Sequence, residues 1–155
     1  MTRIIKFRGK TEGGEWIKGN LVCYREDDGE DVTCIVGDKR NEVDACVEFT
    51  PVDPKTVGQF TALHDKNNRG IYEGDIIECV SWNEYWTDGS GKPMEQMRRR
   101  MLVEFRHGSF VCVERQQAPF DDKVWDIISN QDCIIIGNRF DNPDLWPWSP
   151  FGQSV

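Results

Sequence analysis

Four side chains between residues 64 and 75 have the chemistry to hold a hard divalent cation: His64, Asp65, Glu73 and Asp75, all within TVGQFTALHDKNNRGIYEGDII, residues 56 to 77. Carboxylate oxygens suit Mg²⁺ or Mn²⁺, and an imidazole can serve as a base, so a set converging across a hairpin would fit metal-assisted phosphodiester hydrolysis. The same letters have a second reading. Asp, Asn and Gly make local side-chain hydrogen bonds or accept positive φ, so HDKNNRG reads as a hairpin loop and EGDII as a tight turn before a buried strand. Asp65, Gly70, Gly74 and Asp75 then serve the backbone, Gly58 permits a bulge or a close backbone approach, and His64 and Glu73 are ordinary solvated residues. Turn chemistry accounts for the stretch without a metal, so the catalytic set is read as empty and the metal reading is kept only as the weaker alternative.

A different chemistry attaches to NEYWTDGSGKPMEQ, residues 83 to 96, and what flanks it. Trp82, Tyr85 and Trp86 could form a platform for a peptide or for unpaired bases, with Arg98, Arg99 and Arg100 neutralising nearby phosphates. The plainer reading is that the aromatics cover one end of the fold or a subunit contact, because large apolar groups are seldom left bare. Along a strand the three arginines alternate between faces and do not make one basic surface. Trp146, Trp148 and Phe151 near the carboxy terminus carry the same ambiguity.

Other chemistry is thin. The two histidines, His64 and His107, are far apart and sit in no nucleophile motif, and neither a phosphate-binding loop nor a dinucleotide fingerprint is legible. Cys23, Cys34, Cys46, Cys79, Cys112 and Cys133 each lie in an apolar strand-like run without close pairing, so reduced, buried thiols are expected, and zinc is not. No cofactor is expected, and the balance is against an enzyme.

The elements that must position these groups are strands. Short alternating apolar runs separated by Gly, Asp and Asn recur along the 155 residues, and no long helical period is present. Strands are expected over Ile4 to Arg8, Glu15 to Tyr24, Val32 to Val36, Val43 to Val52, Thr56 to Leu63, Asp75 to Trp82, Met97 to Arg106, Phe110 to Glu114, Lys123 to Ile128 and Cys133 to Asn138. In VDACVEF the odd positions Val43 to Phe49 are assigned to a core face, and MLVEFRHGSFVCVE is read as a hairpin turning at Gly108. Pro51 and Pro54 are expected to end one strand and mark a junction, and Pro143 in FDNPDLW to open one helical turn.

With 38% apolar and 30% charged residues the chain can bury a core, and its net charge of −8 argues against general affinity for nucleic acid. Charges at Arg3, Lys6 and Arg8 interrupt any signal-peptide core, and no apolar run is long enough to span a membrane. A cytoplasmic protein is expected, with no membrane partner.

TVGQFTALHDKNNRGIYEGDII, together with IIKFRGK and GEWIKGNLV, VEFRHGSF, and IIGNRFDNPDLW in that order, resembles the YopX-like proteins of phages and prophages. The resemblance covers most of the chain. It implies a mainly β fold: an SH3-like β-barrel, residues 53 to 146, with an amino-terminal β-rich extension, 1 to 52, short helical turns and a tail, 147 to 155, the parts able to pack as one compact unit. It implies homo-oligomers in a bacterial host cell and offers no catalytic residues to carry over. The function expected from it is an accessory protein, most simply an oligomeric module binding a host or phage protein; a nucleic-acid accessory factor is the alternative and is not favoured. Two positions depart from the pattern: Ala62 stands where glycine is common, which puts a left-handed backbone there in doubt, and Asn68 replaces the glycine of Asn-Gly, which asparagine tolerates.

Overall fold

Alternation drives the fold. In the computed structural model, which describes residues 4–37, 48–81, 97–114, 122–123, 127–128 and 132–145, nearly every alternating run forms an antiparallel strand. The strands are β1 (Phe7–Lys10), β2 (Trp16–Arg25), β3 (Asp31–Gly37), β4 (Phe49–Pro51), β5 (Asp53–His64), β6 (Gly70–Tyr72), β7 (Asp75–Ser81), β8 (Met97–Arg106), β9 (Ser109–Glu114), β10 (Asp122–Lys123) and β11 (Asp132–Asn138), followed by a 3₁₀ turn at Pro143–Leu145. One sheet has the order β4-β3-β2-β1-β5-β6 and the other β10-β9-β8-β7-β11. The mainly β expectation holds. As ordered among the described residues, both sheets are open rather than closed into a barrel. None of the helices there is long and apolar enough to cross a membrane.

The chain divides into two compact units, Met1–Ala62 and Leu63–Val155, so that β5 runs out of the first and ends in the second. In the first unit Cys34, Ile35, Val52 and Phe60 are buried. Gly19 lies against the Val36 carbonyl so closely that a Cβ would overlap it, and Gly9 is flat against the Val52 side chain. The Arg8 guanidinium, largely buried, lies 4.8 Å from the centre of the Trp16 ring. Thr56 locks the start of β5, accepting from Lys10 N–H at 2.8 Å and donating to the Asp53 carbonyl at 2.7 Å.

The second unit buries both faces of its sheet. Ile77, Cys79, Met101, Val103, Cys112 and Cys133 pack on one side with Ile71 and Ile127, while Ile76, Leu102, Val111 and Val113 pack on the other beneath Ile136 and Leu145. This explains runs such as MLV that alternate poorly: a strand covered on both faces has no polar side to display. The β8–β9 hairpin closes through Arg106 opposite Ser109, with His107 at φ 50° and Gly108 at φ 81°, the left-handed pair that matches strand twist in a two-residue turn.

Several expectations need correction. Pro51 ends β4 as expected, but Pro54 lies inside the next strand: β5 begins at Asp53, and its ladder with β1 shifts register between Arg8 and Lys10, an irregularity that accommodates Pro54. Gly70, read as the end of the hairpin loop, instead opens β6 with Ile71 and Tyr72. Ile127 and Ile128, expected in a strand from Lys123, are helical. Phe49, assigned to a core face, is 51% exposed, and the rest of that face, Val43 to Val47, lies outside the described residues. Cys79 and Cys133, expected as thiols, are joined in a disulfide; they face each other in the β7–β11 ladder, a pairing that spacing in sequence does not reveal.

Candidate functional site

The loop Asp65–Arg69 follows β5, and its charged residues turn inward on the backbone. Asp65 is buried, and its Oδ1 accepts from Asn67 N–H and Arg69 N–H, each at 2.9 Å. Its Oδ2 accepts from Arg69 Nε at 2.9 Å and from Ile135 N–H at 3.0 Å, and pairs with Arg69 Nη2 at 2.7 Å. Both carboxylate oxygens are thus committed. Asn68 sits at φ 61°, the left-handed geometry expected for it, and donates its N–H to the Asp65 carbonyl at 2.9 Å.

The loop also grips β11. Lys66 N–H donates to the Cys133 carbonyl at 2.9 Å, Arg69 Nη2 donates to the Ile135 carbonyl at 2.6 Å, and Lys66 Nζ meets Asp132 Oδ2 at 2.7 Å. Together with Asp65 on Ile135 N–H, these bonds do along β11 what a neighbouring strand would do. Burial pushes the Asp65 carboxyl upward, but the N–H groups of Ile135 and Arg69 and the Arg69 guanidinium outweigh it and hold the group below its ordinary range.

The second turn of the stretch follows the same logic. Asp75, 2% exposed, accepts from Tyr72 N–H at 2.8 Å. Gly74 is left-handed at φ 85°, donates its N–H to the Val103 carbonyl at 2.8 Å and accepts from Arg139 N–H at 3.0 Å. Gly70 opens β6, and Gly58 is buried opposite Arg8 in β5. Among the described residues no group of three or more His, Cys, Asp or Glu side chains is placed to hold a metal, and His64 is exposed whereas Asp65 beside it is buried. Ala62 corrects an expectation: its φ is 69°, so the left-handed backbone persists with alanine in place of glycine.

Of the proposed aromatic platform, Trp82, Tyr85 and Trp86 lie outside the described residues, as do Trp146, Trp148 and Phe151. The arginines are in β8. Arg98 and Arg100 share one face and one acceptor, Glu78 of β7, at 3.3 Å and 3.0 Å, while Arg99 stands opposite Cys79. Glu78 was not singled out from the sequence, nor were Lys66, Arg69 and Asp132. Arg69 had a legible signal, a cation four residues beyond an aspartate within a loop; the others depend on pairing between distant strands.

Residues 6–146 match the model of the YopX protein family. Among solved structures the chain is similar to the crystal structure of protein EF1440 from Enterococcus faecalis, at 21% identity and a TM-score of 0.52, over 93% of this chain and 99% of that one. At that identity the likeness is one of fold. No curated protein matches. The family match spans both turns of the 56–77 stretch, the β8–β9 hairpin and the 3₁₀ turn, and on that extent the chain belongs to the YopX family.

Proposed function

We propose that this protein is an accessory protein of phage or prophage origin that acts by binding, as an oligomeric contact module in the cytoplasm of a bacterial host. The observation that carries the reading is Phe105. It is 49% exposed and meets Phe110 edge to face at 5.2 Å, close to the tight His107–Gly108 turn, so a large apolar ring is held on a stiff hairpin rather than folded into the core. The commitment of Asp65 and Asp75 to backbone groups supports the same reading, because it leaves the signature stretch serving as scaffold. For the second unit we take the SH3-like form: β7 to β10 run as a meander and β11 returns beside β7, the connectivity a small barrel uses to close.

Sedimentation velocity on the full chain tests the module. Wild type is expected to associate at micromolar concentration, and Phe105→Ser to weaken that association by about tenfold or more. A wild type that sediments as a monomer throughout that range would sink the proposal. The nucleic-acid alternative draws on the exposed Arg98 and Arg100, but their shared Glu78 offsets one of the two charges.

A further inference from the structure

Cys79 and Cys133 stand across from each other in the β7–β11 ladder with Cα atoms 4.1 Å apart, and their side chains are 0% and 2% exposed. The two strands they join are not held alike. β7 lies between β8 and β11, fixed on its far side by pairing from Ile76–Leu102 to Ser81–Met97, whereas β11 is at the edge of the sheet. Beyond that edge β11 meets the Asp65–Arg69 loop, through the Cys133 carbonyl, Ile135 N–H and the Ile135 carbonyl. β11 is therefore fastened by sulfur on its inner side and by the loop on its outer side.

We propose that the Cys79–Cys133 bridge is a redox latch, opened by a dithiol reductant, whose opening releases β11 from the Asp65–Arg69 loop while the rest of the second unit stays folded. A thiolate of the dithiol attacks one cysteine sulfur; the S–S bond breaks, a mixed disulfide forms and the other cysteine leaves as thiolate. The second thiolate of the dithiol then attacks the mixed disulfide, the reductant departs as its own cyclic disulfide, and the remaining cysteine is freed. Two electrons pass to the bridge, and the two protons given up by the dithiol end on the cysteine thiols.

Two separate thiols need more room than a bonded pair, and neither side chain has solvent to turn into. With β7 pinned by β8, that room comes from movement of β11, which draws the Cys133 carbonyl and Ile135 N–H away from their loop partners. Burial sets the kinetics. A reductant reaches the sulfurs only after local opening, so at one dithiol concentration the bridge is reduced more slowly in native than in urea-unfolded protein.

The test is hydrogen exchange on the full-length protein, before and after reduction with dithiothreitol, with thiols counted by alkylation under denaturing conditions. The expected result is a bridge present in air-oxidised protein, reduction by dithiothreitol about tenfold slower or more in native than in urea-unfolded protein, and exchange at the Lys66 and Ile135 amides about tenfold faster or more once reduced. The Val103 and Cys112 amides of the β8–β9 hairpin keep their protection. Free thiols at both positions after mild oxidation, reduction as fast in native as in urea-unfolded protein, unchanged exchange at Lys66 and Ile135, or loss of protection through the whole second unit would each overturn the proposal.

Discussion

Asp65 shows how a residue with catalytic chemistry becomes structural once its oxygens are spent. Four N–H bonds, from Asn67, from Arg69 twice and from Ile135, converge on a carboxylate whose side chain has 0% exposure. Removing it leaves backbone donors and a cation without their acceptor, so Asp65→Ala is expected to cost about 3 kcal/mol in urea denaturation. The pH dependence follows from the direction of its shift. A carboxyl held below its unfolded value of about 3.9 contributes its stability above that pH and loses it as pH falls through the folded value. Wild type should therefore lose part of its denaturation midpoint between neutral and strongly acid pH, and Asp65→Asn should lose less over the same range; equal slopes would refute the assignment.

At the scale of elements the β8–β9 hairpin is the most exacting piece. His107 and Gly108 both have positive φ, and no atom lies within 4 Å of where a Cβ on Gly108 would project, so substitution there tests backbone conformation alone. Gly108→Ala is expected to lower stability by about 1 kcal/mol and His107→Asn to raise it by a few tenths, roughly, both read from thermal midpoints. This hairpin was legible because RHGS sits between two alternating runs, and β2, β3, β7 and β11 were legible for the same reason. What was not legible has physical causes. Pro54 breaks a strand in propensity, yet a register shift admits it; Ala62 disfavours φ 69°, yet adopts it near the end of β5. The Asp65 grip on β11 and the Cys79–Cys133 bridge join residues 70 and 54 positions apart, which no local pattern encodes.

At the scale of the whole molecule, burial among the described residues is unevenly shared. The first unit encloses Cys34, Ile35, Val52 and Phe60, whereas the second encloses two apolar clusters on opposite faces of one sheet. Opening free energy follows buried apolar surface, so amides of β2 and β3 should exchange about tenfold faster or more than those of β7 and β8. Exchange measured across both sheets at one pH would check the ranking, and equal protection would show that the units open together.

The grip of the Asp65–Arg69 loop on β11 also bears on how copies of this chain can meet. An unpaired strand edge offers a row of donors and acceptors to any passing chain, the route by which β proteins add strands to one another. Here Ile135 N–H, the Ile135 carbonyl and the Cys133 carbonyl are already taken from within the same chain. Along that stretch the sheet cannot be lengthened by a neighbour. Edge-to-edge growth, which continues without limit, is thereby blocked along this stretch of β11.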